Sequence, residues 1–160
     1  MQDTNDISVL FRSMPDAMAI LKGSEKYPAI YGRVMFYEVA AGVILRTDVV
    51  GLPQGQGTCA SPIFALHIHD GDACSGDETD PFADAGMHLN STNCPHPYHA
   101  GDLPPLFGAA GKAFSAVLTD RFSLQEIIGK TVVLHARPDD FATQPAGGAG
   151  EKIACGVIKK

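Results

Sequence analysis

Four side chains of metal-binding type crowd into the stretch HLNSTNCPHPYHAGD, residues 88–102: His88, His96, His99 and Asp102. The chain has six histidines, so this one segment holds half of them. The others are the pair His67 and His69 in ALHIHD, and His135 in TVVLHAR. A lone histidine in a strand is most often a hydrogen-bonded structural residue, but none of these six is scattered. His67 and His69, at i and i+2 of a predicted strand, lie on one face and can meet a single ion.

Imidazole is a borderline ligand suited to copper and zinc, and a closed zinc site is tetrahedral with nitrogen, sulfur and carboxylate donors. His88, His96, His99 and Asp102 would fill such a site. That leaves His67, His69 and His135 for a second centre, one short of a four-nitrogen copper site. One ring must then serve both. An imidazole has two ring nitrogens and can bridge two metals. His88, between the HxH strand and the cluster, is the natural candidate.

The elements that must position these residues read as strands. Period-2 segments bounded by turn residues recur as AMAILKG, YGRVMFYEV, GVILRTDVVGL, IFALHIHD, KAFSAVLTD, TVVLHAR and KIACGVI. Glycine and proline between them, and no helical crossovers, predict an all-β sandwich or flattened barrel of Greek-key type. Two connections, about 70–101 and about 136–151, are too long for plain turns, and loops of that length usually carry function. DISVLFRSM can form a short helix that Pro15 limits. The Gly-rich PAGGAGE lacks the Lys-Ser/Thr and the helix of a phosphate loop and reads as a flexible connection.

The 160 residues make one domain, 1–160, with 1–16 as an N-terminal arm. A net charge of -6 without any cluster of lysines or arginines excludes nucleic acid and anionic membrane surfaces as partners. No apolar run approaches a membrane span, and the start lacks the pattern of a secretory signal. A cytoplasmic location is expected if the chain is complete, and a periplasmic or secreted one if a leader has been removed. The four cysteines form no CxxC pair, which argues against a zinc ribbon or a thioredoxin-like motif.

ALHIHDGDACSG, GMHLN, YHAGDL, GKTVVLHARPDD and GEKIACGVI resemble, in that order, the metal-site and cysteine motifs of the copper,zinc superoxide dismutases. The resemblance runs from about Ala17 to Ile158 and implies an eight-stranded Greek-key barrel with two long functional loops. It implies copper at His67, His69, His88 and His135, and zinc at His88, His96, His99 and Asp102. Asp139 resembles the family's carboxylate that ties a copper histidine to a zinc histidine, here His67 to His96, while Asp140 reads as a solvated loop charge. Cys74 and Cys155 resemble its intrasubunit disulfide. Cys59 and Cys94 have no counterpart in that pattern, and either pair with each other or stay as two thiols.

The implied activity is conversion of superoxide to dioxygen and hydrogen peroxide by alternating Cu(II) and Cu(I), with His88 as the proton-carrying bridge. A homodimer is compatible with the resemblance. Two departures qualify it. Only two residues separate His96 from His99, a shortened zinc loop similar to the bacterial form. Lys152 stands where the family has arginine, keeping a charge that attracts superoxide but losing the forked donor geometry, so weaker docking of the anion is expected. Rival readings are a non-catalytic copper-binding or delivery module, and a zinc-only barrel on the same fold.

Overall fold

A computed structural model describes residues 7–59 and 62–160. The strands are β1 (Ala17–Gly23), β2 (Tyr31–Val39), β3 (Gly42–Val50), β4 (Ile63–Phe64), β5 (Leu66–His69), β6 (Leu106–Phe107), β7 (Lys112–Thr119), β8 (Thr131–His135) and β9 (Lys152–Lys159). The all-β expectation is met, and all seven expected strand segments are present. The count rises to nine because the 63–70 segment breaks at Ala65 and because β6 is too short to show a period. Ala65 still pairs, its N–H donating to Arg137 O and its carbonyl accepting from His135 N.

The strands form an antiparallel sheet in the order β5-β8-β9-β1-β2-β3-β7, with β4 and β6 pairing separately. Every one of the nine strands sends residues into one apolar core, among them Leu21, Phe36, Leu45, Phe64, Ile68, Leu106, Ala113, Leu134 and Ile158. The sheet therefore wraps around that core with one face inward. A second cluster on the outer face, Met35, Tyr37 and Ile44, is covered by Leu10 and Phe11. Leu10 ends the short helix α1 (Ile7–Leu10), which the sequence predicted, Phe11 follows it, and Arg46 lies over the Phe11 ring at 5.2 Å.

Two features matter most for the site. In β5, Leu66 and Ile68 face the core while His67 and His69 face outward, as alternation requires. All four are nonetheless buried, because residues 70–105 and 136–151 fold over that outer face. Within the first connection the only regular element is one 3-10 turn, Ala83–Ala85. The bond between Cys74 and Cys155, 81 residues apart with Cα atoms at 5.6 Å, fastens that loop to β9.

A further element that the sequence did not predict is α2 (Leu124–Ile127), a single helical turn. Ser123 accepts from Glu126 N, and Glu126 Oε2 accepts from Ser123 N at 2.7 Å, a reciprocal capping box. Phe122, Leu124 and Ile127 sink into the core and fix the turn that follows β7.

Candidate metal centre

The outward histidines of β5 meet the loop through main-chain bridges: His67 pairs with Asp102, and His69 with His88. Leu89 N donates to Ile68 O at 2.8 Å, and Ile68 N to Gly101 O at 2.9 Å. The loop thus runs beside β5 as an extra strand, which sets His88 and Asp102 next to the HxH pair. Gly101 must be glycine, since a Cβ there would collide with Ile68 O. His135, at the end of β8, approaches from the other side.

Two four-residue groups result. The ligand atoms of His67, His69, His88 and His135 lie within 4.8 Å of one another, as do those of His88, His96, His99 and Asp102. His88 belongs to both. All seven residues are buried.

The outer nitrogens are already engaged. His69 Nδ1 donates to Gly86 O at 2.9 Å, and His135 Nδ1 to Gly150 O at 3.2 Å. Asp139 accepts from His67 Nε2 at 2.7 Å through one oxygen and from His96 Nε2 at 2.8 Å through the other. It therefore spans the two groups. Gly147, at φ +68°, closes over this carboxylate where a side chain would strike it.

The inner nitrogens are left with lone pairs and no proton to share. His69 Nε2 and His135 Nε2 face each other at 3.2 Å. With both Nδ1 protons committed to carbonyls, that contact is repulsive unless a cation accepts both lone pairs. Burial pushes His135 down to about 4, with the neighbouring His88 acting in the same direction against the Gly150 hydrogen bond. Burial likewise drives His67 and His69 far below the ordinary imidazole range. His67 Nδ1, His88 Nε2, His96 Nδ1 and His99 Nδ1 are buried without a hydrogen-bond partner. Such atoms are costly unless something binds them.

Around the second group the charge is anionic. Asp102 Oδ1 accepts from His88 Nδ1 at 2.8 Å, and Oδ2 lies 3.0 Å from His96 Nδ1 and 3.4 Å from His99 Nδ1. Burial alone would raise the Asp102 carboxyl, but the His88 hydrogen bond and the surrounding rings hold it below its ordinary value. Imidazoles converging with one carboxylate, the far nitrogens of His67, His69, His96 and His135 fixed by carbonyls and a carboxylate, are the donor set of a divalent transition-metal site. One group offers four nitrogens and the other three nitrogens and an oxygen. The residues fit copper and zinc respectively.

The remaining cysteines, left open by the sequence, are two thiols, and Lys152 has partners of its own. Cys59 and Cys94 are both free thiols, so the second disulfide is absent. Asn90 pairs with the main chain of Cys94 on both sides, accepting from its N–H and donating to its carbonyl at 2.9 Å each. That holds the Cys94 thiol beside Thr92, whereas Cys59 is exposed in the turn before β4. Lys152 lies across the strand pair from His135 but is not a free cation. Its ammonium donates to Asp80 Oδ2 at 2.7 Å and Phe82 O at 3.1 Å. Its charge nevertheless helps keep His69 and His135 neutral.

Residues beyond the expected set also touch this region. Gln144 and Arg121 hydrogen-bond the main chain around His96, His99 and Asp102. Neither is of metal-binding type, and both are remote in sequence, so no local motif marked them.

Residues 30–158 match the family model for copper/zinc superoxide dismutase (SODC). The chain is 34% identical to the superoxide dismutase [Cu-Zn] of Caulobacter vibrioides, covering 89% of this chain and 85% of that protein. It is 31% identical to that of Legionella pneumophila, covering 95% and 94%. The solved structure of the Cu/Zn superoxide dismutase from Brucella abortus superposes with a TM-score of 0.75 at 25% identity, over 90% of this chain and all of that one.

Proposed function

The chain belongs to the copper/zinc superoxide dismutase family, and from that premise we propose that it disproportionates superoxide, with copper held by His67, His69, His88 and His135 and zinc by His88, His96, His99 and Asp102. Two superoxide anions and two protons give one dioxygen and one hydrogen peroxide. The observation that carries the reading is the pair of buried donor sets sharing one ring, with lone pairs that nothing else among the described residues satisfies.

Copper supplies one-electron exchange between Cu(II) and Cu(I), and zinc supplies a fixed positive charge. The chain does the rest. His88 presents Nδ1 toward Asp102 and keeps Nε2 buried without a hydrogen-bond partner among the described residues. With Nδ1 engaged by Asp102, Nε2 is the His88 atom at which a proton could be taken up and returned. Asp139 fixes the orientation of His67 and His96 together, so both halves keep their spacing. Lys152 supplies positive charge beside His135 and draws the anion inward, moderated by Asp80. The buried setting keeps bulk water from the histidines.

The same reading takes residues 1–160 as one domain with 1–16 as its arm. The disulfide favours an oxidising compartment, periplasmic or extracellular. None of the described helices is long and apolar enough to cross a membrane. A homodimer is part of the proposal, with the superoxide anion as the small-molecule partner.

The deciding measurement is superoxide decay by pulse radiolysis, with the chain loaded with copper and zinc beside the same chain loaded with zinc alone. Fast decay confined to the copper sample is expected. Equal, slow decay in both, with copper shown to be bound, would replace this reading with a non-catalytic copper-binding module.

A further inference from the structure

We propose that Arg121 and Gln144 are positioning residues that hold the 96–102 turn in ligating shape before any metal binds; this rests on the zinc assignment above. The need is visible in the turn itself. Few internal bonds define it: Tyr98 N donates to Pro95 O at 2.8 Å, Asp102 N to His99 O at 3.2 Å and His99 N to Asp102 Oδ2 at 2.9 Å. Three of its carbonyls, those of Pro97, His99 and Asp102, point toward one place. Without a donor there, they would repel one another and the turn would open.

Arg121 provides that donor. Its Nη1 lies 2.9 Å from Pro97 O, 3.3 Å from His99 O and 3.3 Å from Asp102 O. The arm is aimed by a rigid base. Arg121 N donates to Thr119 Oγ1 at 3.2 Å, Phe122 is buried in the core, and the Ser123–Glu126 capping box follows at once. A guanidinium is always charged and its donors are fixed in a plane, so it serves several carbonyls at little loss of freedom.

Gln144 grips the other end. Its Oε1 accepts from His96 N at 3.0 Å and its Nε2 donates to His96 O at 2.7 Å, so one side-chain amide pairs with both main-chain groups of a ligand residue. Gln144 is presented by a loop that Asp140 ties down, accepting from Ala142 N at 2.9 Å and Thr143 N at 2.8 Å. That hydrogen bonding, the Thr143 hydroxyl foremost, holds the Asp140 carboxyl down at about 2, so the tie persists through mild acid. Both clamps act on main-chain atoms and leave every ligand nitrogen free. They set where the rings stand without competing for the metal.

The test uses the full chain and its Arg121→Met and Gln144→Met variants. Zinc affinity is measured by competition against a chromophoric chelator, and the visible absorption of cobalt(II) in zinc's place reports the coordination geometry. Each variant is expected to bind zinc about 10-fold or more weakly and to lose intensity in the tetrahedral cobalt bands. A role in stability alone would lower the melting temperature of the metal-free chain and leave the zinc constant of the folded protein unchanged. Gln144 lies on an exposed loop, so its variant keeps the test open if Arg121→Met fails to fold. Wild-type protein that holds zinc while the variants stay within twofold of it would overturn the clamp alone. Wild-type protein that shows no tetrahedral cobalt signal would overturn the zinc assignment and the clamp with it.

Discussion

Lys152 sits 2.7 Å from Asp80 Oδ2 with only 16% of its side chain exposed, so its attraction for an incoming anion is partly spent within the protein. Removing the carboxylate's charge by Asp80→Asn leaves the ammonium with neutral partners only, the amide oxygen and Phe82 O. At low ionic strength the variant is expected to consume superoxide about two- to fivefold faster than the unaltered protein and to lose that advantage as salt is added. Lys152→Gln should move the rate the other way. Identical rates for Asp80→Asn and wild type across the salt range would remove Lys152 from the steering role. At this scale the sequence was informative wherever a residue announced its chemistry. Histidines at i and i+2, and a histidine cluster ending in aspartate, are rare without a cation, and Asp139 came with the motif around His135. Lys152 was visible as a charge, but its partner was not, because Asp80 lies 72 residues away in a loop with no period.

Among the elements, the disulfide-bearing loop does more than shorten the unfolded chain. Phe82 and Ala85 pack with Val133 and Cys155 on the outer face of the sheet, and Gly86, one residue on, receives the Nδ1 proton of His69. Replacing Cys74 and Cys155 by serine is expected to cost about 4 kcal/mol from the closed loop. That corresponds to a fall on the order of 10 °C in the melting temperature of the metal-free chain. Retention of both metals should suffer, because the loop holds the His69 ring through Gly86 and itself carries all four zinc-side residues. An unchanged melting temperature would show that packing alone secures the loop. The strands were legible because a half-buried sheet leaves a period-2 trace. α2 and β6 were not, since one turn of helix and two residues of strand are shorter than any period. The capping box SLQE was the available signal for α2. Its reading as a helix start depends on a hydrophobic run that here is cut off by Gly129, after a single turn.

For the molecule as a whole, several neutral histidines packed inside it make its metal-free stability a function of pH. The ordinary imidazole value is 6.5, and His135 in the fold is held to about 4. Between those values the unfolded chain binds a proton that the folded chain refuses, so stability is complete above that window and is lost as pH falls through it. His135 alone accounts for about 2 kcal/mol by pH 5, and His67 and His69 act in the same direction. Asp102, held below its ordinary value, adds a further loss at still lower pH. Thermal melts of the metal-free chain should therefore fall by several degrees from pH 7 to pH 5, and a flat profile would mean that these rings are not buried neutral in solution. The main-chain bridges along β5 have one more effect. β5 is the terminal strand of the seven-stranded sheet, and its outer N–H and C=O groups are taken up by Leu89 and Gly101. Wherever that loop lifts away, the sheet presents an unpaired His-Ile-His edge, a template on which another chain can add a strand. The ligand loop is thus also the guard against self-association into aggregates, and whatever keeps it seated keeps the protein dispersed.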